Sequence, residues 1–222
     1  MHGPLKELDS IKNKVNDIIN KKQLKTKPKI IAVTKTFSMD KILPLLQNGH
    51  IDYGENKLQE AETKWSKIKN DFANCQLHMI GKLQSNKAKK AIQLFDFIHS
   101  LDNEKLASKL SYYQKELNKN VKIFIQVNIT SETQKSGIKL SELNNFYNYC
   151  TQELSLNIVG LMCLPPLGQN ADSFFEILEA NAQKLNLKEL SMGMSADYEK
   201  AIIFGSTYLR LGSLIFGKRT AI

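Results

Sequence analysis

Residues 30–35 read Ile-Ile-Ala-Val-Thr-Lys, an apolar run closed by a charge. A β-branched run without polar alternation is the pattern of a strand buried on both faces, as in parallel sheets. Lys35 then falls at the carboxyl end of that strand, where α/β folds place their ligands. An ammonium group in that setting needs solvent, an anionic partner or a covalent role. The covalent role open to lysine is attack on a carbonyl, including a cofactor aldehyde. On this stretch alone the solvated and the functional lysine both stand.

The same pattern recurs along the chain. Apolar runs at 30–34, 51–54, 76–81, 95–100, 121–129, 157–164, 189–193 and 208–212 alternate with segments whose apolar residues lie three or four apart. Alternation of this kind implies parallel strands joined by right-handed helical crossovers. Eight such units in 222 residues point to an α/β fold, a (β/α)8 barrel of the TIM type, rather than an open doubly wound sheet. The segment before the first strand, 1–27, carries Leu8, Ile11, Val15, Ile18 and Ile19 at helical spacing and reads as an extra helix packing on the barrel. After Gly212 only Ser213 to Ile222 remain, room for about one helical turn. No linker or low-complexity tract divides the chain, so one domain over 1–222 is expected.

Composition narrows the function classes. No apolar stretch approaches the roughly 20 residues that span a bilayer, and the N-terminus lacks the apolar core of a signal peptide. Cys75, Cys150 and Cys163 are odd in number and far apart, which suggests neither a disulfide framework nor a metal site and fits a reducing cytoplasm. The net charge of +9 raises the question of a polyanion partner. Its lysines are dispersed, however, and the densest group (Lys82, Lys87, Lys89, Lys90) has no interleaved aromatic residues for stacking on bases. A solvated basic surface is the reading, with nucleic acid not expected as a partner.

The strand ends gather Lys35, Gly54-Glu55-Asn56, Gly81-Lys82, Asn128, Met162, Met192-Gly193 and Arg210-Leu211-Gly212 at one mouth. Gly212 and Ser213 follow the last strand and offer bare backbone, a hydroxyl and the amides of a short turn. Ser195 follows the seventh and reads as the N-cap of a helix beginning near Ala196. Barrels commonly hold phosphate around these two loops, so the pair favours a phosphate cradle over routine capping. Asn56 is a candidate donor to a ring oxygen, whereas Glu55 and Glu60 read as acids opening the next helix. His78 reads as a hydrogen-bonded core histidine more than a general base, and Ser85 as a helix cap. Dinucleotide, nucleoside-triphosphate and HExxH signatures are absent, and the four histidines lack metal-ligand spacing, so no metal is assigned.

Taken together, 33–35, 54–56, the block His-Met-Ile-Gly-Lys-Leu-Gln-Ser-Asn-Lys at 78–87, the block Leu-Ser-Met-Gly-Met-Ser-Ala-Asp-Tyr at 190–198, and 205–207 with 210–217 resemble the pyridoxal 5′-phosphate homeostasis protein family, in family order. The chain departs from the family pattern at Phe37, Leu77 and Met79, none of which bears on the cofactor chemistry. The resemblance implies a barrel like the N-terminal domain of alanine racemase, holding pyridoxal phosphate as a Schiff base on Lys35. It further implies Ser195, Gly212 and Ser213 on the phosphate, Arg210 on the pyridine nitrogen, and Asn56 and Met192 along the ring. An arginine there disfavours ring protonation and weakens the cofactor as an electron sink. Racemases of this fold add a second domain and a partner subunit carrying an opposing base, for which the ten residues after Gly212 leave no room. The expectation is a cytoplasmic, monomeric pyridoxal phosphate carrier that serves vitamin B6 and amino-acid balance, meets apo-enzymes transiently and lacks efficient catalysis. A small amino-acid racemase or lyase of the same fold is the alternative.

Overall fold

Each of the eight apolar runs forms a strand in the computed structural model, which describes residues 3–130, 136–166 and 168–217. They are β1 (Lys29–Val33), β2 (Asp52–Glu55), β3 (Gln76–Met79), β4 (Phe97–Leu101), β5 (Lys122–Asn128), β7 (Ile158–Met162), β8 (Glu189–Met194) and β9 (Tyr208–Leu211). The sequence reading lacked β6, the two residues Ile138–Lys139 laid against the end of β5. Two residues carry no periodicity, so only the ladder reveals them. All pairings are parallel, in the order β4-β3-β2-β1-β9-β8-β7-β5, and β4 closes on β5 to complete the barrel.

Helices cover the outside because each crossover must return the chain to the start of the next parallel strand. They are α1 (Pro4–Lys22), α2 (Met39–Gln47), α3 (Leu58–Trp65), α4 (Ile68–Asp71), α5 (Ala88–Leu94), α6 (Glu104–Glu116), α7 (Leu143–Asn148), α8 (Asp172–Lys184), α9 (Tyr198–Ile203) and α10 (Ser213–Phe216). The extra helix α1 buries Leu8, Ile11 and Val15, the stripe its spacing foretold, and packs against α2, α9 and α10. Pro4 opens it and Gln23 in the left-handed region ends it. Two expected caps are corrected. Ser85 lies inside a 3-10 turn, Ser85–Lys87, and Asp197 rather than Ser195 precedes α9.

Alternation along the strands divides the core into two layers. Ile31, Phe97, Phe124, Met162 and Tyr208 point inward and fill the barrel. Ala32, Tyr53, Leu77, Ile98, Ile125, Leu161 and Leu209 belong to the larger cluster shared with the helices. Along β1, Ile31 and Val33 therefore set the parity of Lys35, which follows on the inward side.

Candidate functional site

Lys35 sits on a turn that is held from three directions. Thr34 continues the ladder by donating its amide to the Gly54 carbonyl at 2.9 Å. Its hydroxyl points outward and donates to Glu55 Oε1 at 2.7 Å. Lys64, from α3, donates to the Thr34 carbonyl at 2.8 Å and to Glu55 Oε1 at 2.8 Å. The Thr36 amide donates to Glu60 Oε1, which also pairs with Lys64 at 3.0 Å. Thr36 has φ +67°, a left-handed conformation that a β-branched residue adopts only where its surroundings impose it. The two glutamates are thus structural, as read, but their task differs from the one expected: they clamp the Lys35 turn rather than serve the helix dipole. Trp65 completes the clamp by donating Nε1 to Glu55 Oε1 at 2.9 Å.

The β1–β2 register, Val33 beside Gly54, brings Asn56 next to Lys35. The main chain of Asn56 lies so close to β3 that a Cβ on Gly81 would fall 2.2 Å from the Asn56 carbonyl oxygen. Only glycine permits that approach. Asn56 borders a cavity of about 520 Å³ at the strand ends, together with Ile80, Gln126, Asn128, Cys163 and Leu164 among others.

Arg210 points inward from β9, beside Ile31 of β1, and is 4% exposed. It donates Nη2 to the Cys163 carbonyl at 2.9 Å, on the cavity wall, and Nη1 to Ser191 Oγ at 2.6 Å. Burial pulls its pKa down from the usual arginine value, yet guanidinium keeps its proton in proteins. Beneath it Ser191 Oγ lies 2.8 Å from His99 Nδ1, His99 Nε2 lies 3.0 Å from His78 Nδ1, and His78 Nε2 lies 3.1 Å from Asp52 Oδ1. His78 is the core histidine the sequence suggested. His99, Ser191 and Asp52 were not singled out.

Both histidines are fully buried, and burial pushes their pKa values down, His99 furthest. Burial also lowers His50, to about 4. A folded-state value below the unfolded one (about 6.5) means the unfolded chain takes up protons first as the pH falls. Stability is therefore complete above about pH 6.5 and declines below it. His78 and His99 are expected to make the fold less stable at pH 5.5 than at pH 7.5. Urea melts at the two pH values check this; equal midpoints would contradict the neutral buried pair.

The two loops expected to hold phosphate flank Arg210. After β9, the amides of Ile215 and Phe216 bond back to the Gly212 carbonyl, so those of Ser213 and Leu214 stand at the open end of the turn. A Cβ on Gly212 would meet Val33 at an ordinary 3.4 Å, so strand packing does not demand glycine there. After β8, Asp197 Oδ1 accepts from the Met194 amide at 2.6 Å and folds the turn back on itself. Half-buried Ser195 lies within that turn, and among the described residues its hydroxyl makes no hydrogen bond. Met192, expected along the ring, is fully buried and belongs to the larger cluster, while its neighbour Ser191 takes the inward position. The remaining site residues lie on β2, β1, β9 and β8, four consecutive neighbours in the barrel.

The sequence and the barrel both match known proteins. The alanine racemase N-terminal domain family matches residues 7–220. A pyridoxal phosphate homeostasis protein of Synechocystis is 38% identical over 200 residues, 86% of this chain and 91% of its own length. The structure of PipY from Synechococcus elongatus, solved with pyridoxal phosphate bound and without it, is 32% identical with a TM-score of 0.80, over 91% of this chain and all of that one. Alanine racemase of Bartonella henselae shares the fold at 16% identity and a TM-score of 0.65, over 93% of this chain and 62% of its own. The chain belongs to the pyridoxal phosphate homeostasis protein family, whose barrel is that of the alanine racemase N-terminal domain.

Proposed function

We propose that this protein binds pyridoxal phosphate through Lys35 and holds it for buffering and delivery, without efficient turnover of its own. The observation that carries the reading is the grouping at the ends of adjacent strands of one half-buried lysine, one buried guanidinium and two hydroxyl- and amide-bearing turns. That donor set matches the groups of the cofactor one by one, and PipY, a relative of known structure, was solved with pyridoxal phosphate bound. Bound pyridoxal phosphate supplies an aldehyde that condenses reversibly with a lysine amine and a ring that withdraws electrons from whatever is joined there.

In this reading the clamped turn fixes the Lys35 backbone at the mouth, so little backbone entropy remains to be lost on binding. Gly212, Ser213 and Ser195 receive the phosphate with amides and hydroxyls, and Asn56 contacts the ring edge. Arg210 donates to the pyridine nitrogen and, having no proton to give up, keeps that nitrogen unprotonated. Catalysis would need a second base facing Lys35. Among the described residues lining the cavity, the titratable side chains are Lys82 and Cys163, and burial pushes the Cys163 thiol up to about 12. That thiol is not suited to abstract a proton at neutral pH. A monomer that meets apo-enzymes transiently in the cytoplasm completes the proposal.

Loading the protein with pyridoxal phosphate in D2O tests both halves. The expected result is a yellow, stoichiometric complex that exchanges the α-proton of alanine no faster than free cofactor does. Exchange at enzymatic rates would favour a racemase instead, and a colourless protein would end the binding proposal.

A further inference from the structure

The five groups below the mouth form a continuous polar chain through an otherwise apolar barrel. His78 is stacked on Phe97 at 4.3 Å between ring centroids, and His99 on Phe124 at 4.2 Å. These stacks fix both ring planes and leave the ring nitrogens to find partners only along the chain. Such burial is costly unless every donor meets an acceptor.

The two ends determine how the protons are arranged. The Arg210 guanidinium can only donate, so Ser191 Oγ accepts from it. The Asp52 carboxylate can only accept, so His78 carries its proton on Nε2. A neutral His78 then accepts at Nδ1, which requires His99 to donate from Nε2. His99 in turn accepts at Nδ1, and the Ser191 hydroxyl supplies that bond. Reversing any one link leaves two lone pairs or two protons facing each other. The low proton affinity that burial gives both histidines agrees with their being neutral.

We propose that Asp52, His78, His99 and Ser191 are positioning residues: a one-way array of hydrogen bonds that runs from Arg210 to Asp52 and holds the guanidinium in place from below. Among the described residues Arg210 makes no ion pair; the carboxylate of Asp197 acts on it through space, and Asp52 is linked to it through three neutral groups whose dipoles all align. Aligned dipoles of this kind reinforce one another at low dielectric. The consequence at the pyridine ring rests on the function proposed above; the array itself does not.

The test uses nitrogen-15 NMR on the protein with no cofactor added, where four histidines and two arginines keep the spectra sparse. Both His78 and His99 are expected as neutral Nε2–H tautomers at pH 7.5, and Arg210 as a guanidinium with slowly rotating, resolved Nη signals. An Nδ1–H tautomer or an imidazolium at either histidine would overturn the array. Ser191→Ala cuts it beside Arg210 and is expected to collapse the resolved Nη signals. Asp52→Ala removes the far end and should do the same from the floor of the barrel, whereas a merely structural Asp52 would leave Arg210 unchanged. Asp52→Asn, which keeps an acceptor in place, is the variant to use if Asp52→Ala does not fold. It is expected to retain both tautomers, and a switch to Nδ1–H would refute the direction proposed. In loaded protein, Ser191→Ala is expected to release pyridoxal phosphate about tenfold faster, about 1.4 kcal/mol, with Ser191→Thr restoring retention. If pyridoxal phosphate fails to bind at all while the tautomers are as stated, the function falls and the array stands.

Discussion

Lys35→Ala is expected to abolish the yellow complex and to weaken pyridoxal phosphate binding by at least about 100-fold, equivalent to about 2.7 kcal/mol. The covalent anchor is lost, while the phosphate turns and Arg210 remain to give residual, non-covalent affinity. Fold stability should change less than binding, because the turn that carries half-buried Lys35 is held through Thr34 and Thr36. Thermal melts separate the two effects. With cofactor in large excess over its dissociation constant, the parent protein should gain several kcal/mol by mass action and the variant almost none. A variant that melts like the parent without cofactor but still gains the full shift would contradict the assignment.

Glu55→Ala is expected to produce the largest loss of stability, about 3–5 kcal/mol. Glu55 is fully buried, and one of its oxygens receives Thr34, Lys64 and Trp65. Removing the carboxylate strands a tryptophan N–H in the interior, leaves the Thr34 hydroxyl only its longer bond to the Gly54 carbonyl at 3.3 Å, and leaves Lys64, 10% exposed, with only Glu60 as an anionic partner. In a protein of this size the melting temperature should fall by at least about 6 °C. Glu55→Gln keeps an acceptor oxygen for Trp65 and Thr34 and is expected to lose less than half as much. Equal losses for the two variants would mean that the charge, not the hydrogen-bond focus, holds the clamp. Because that clamp fixes the turn at 34–36, the Gln variant should also bind pyridoxal phosphate more weakly at temperatures well below its transition.

The contrast between these residues shows what sequence pattern can and cannot carry. The eight barrel strands were legible to within a few residues, because strands buried on both faces appear as unbroken apolar runs. Lys35 stood out for the same reason, as a charge ending such a run. Glu55 did not, because its partners Thr34 and Trp65 lie 21 and 10 positions away and converge only when α3 folds back over β1 and β2. It looked instead like a local helix acid. The array beneath Arg210 was further from reach: His78 to Asp52 spans 26 residues, His78 to His99 spans 21, and His99 to Ser191 spans 92. Only closure of the barrel between β4 and β5 brings His99 opposite Ser191, and no periodicity encodes that. Met192 lies in an informative motif, yet the side of the strand it occupies follows only from parity with Ser191, which points inward to Arg210.

One lysine, Lys35, is the proposed anchor of pyridoxal phosphate. Borohydride reduction of the yellow complex, followed by proteolysis and mass spectrometry, locates the anchor directly. The phosphopyridoxyl mass is expected on the peptide containing Lys35, at one equivalent per chain. A modification concentrated on any other lysine, with Lys35 unmodified, would contradict it.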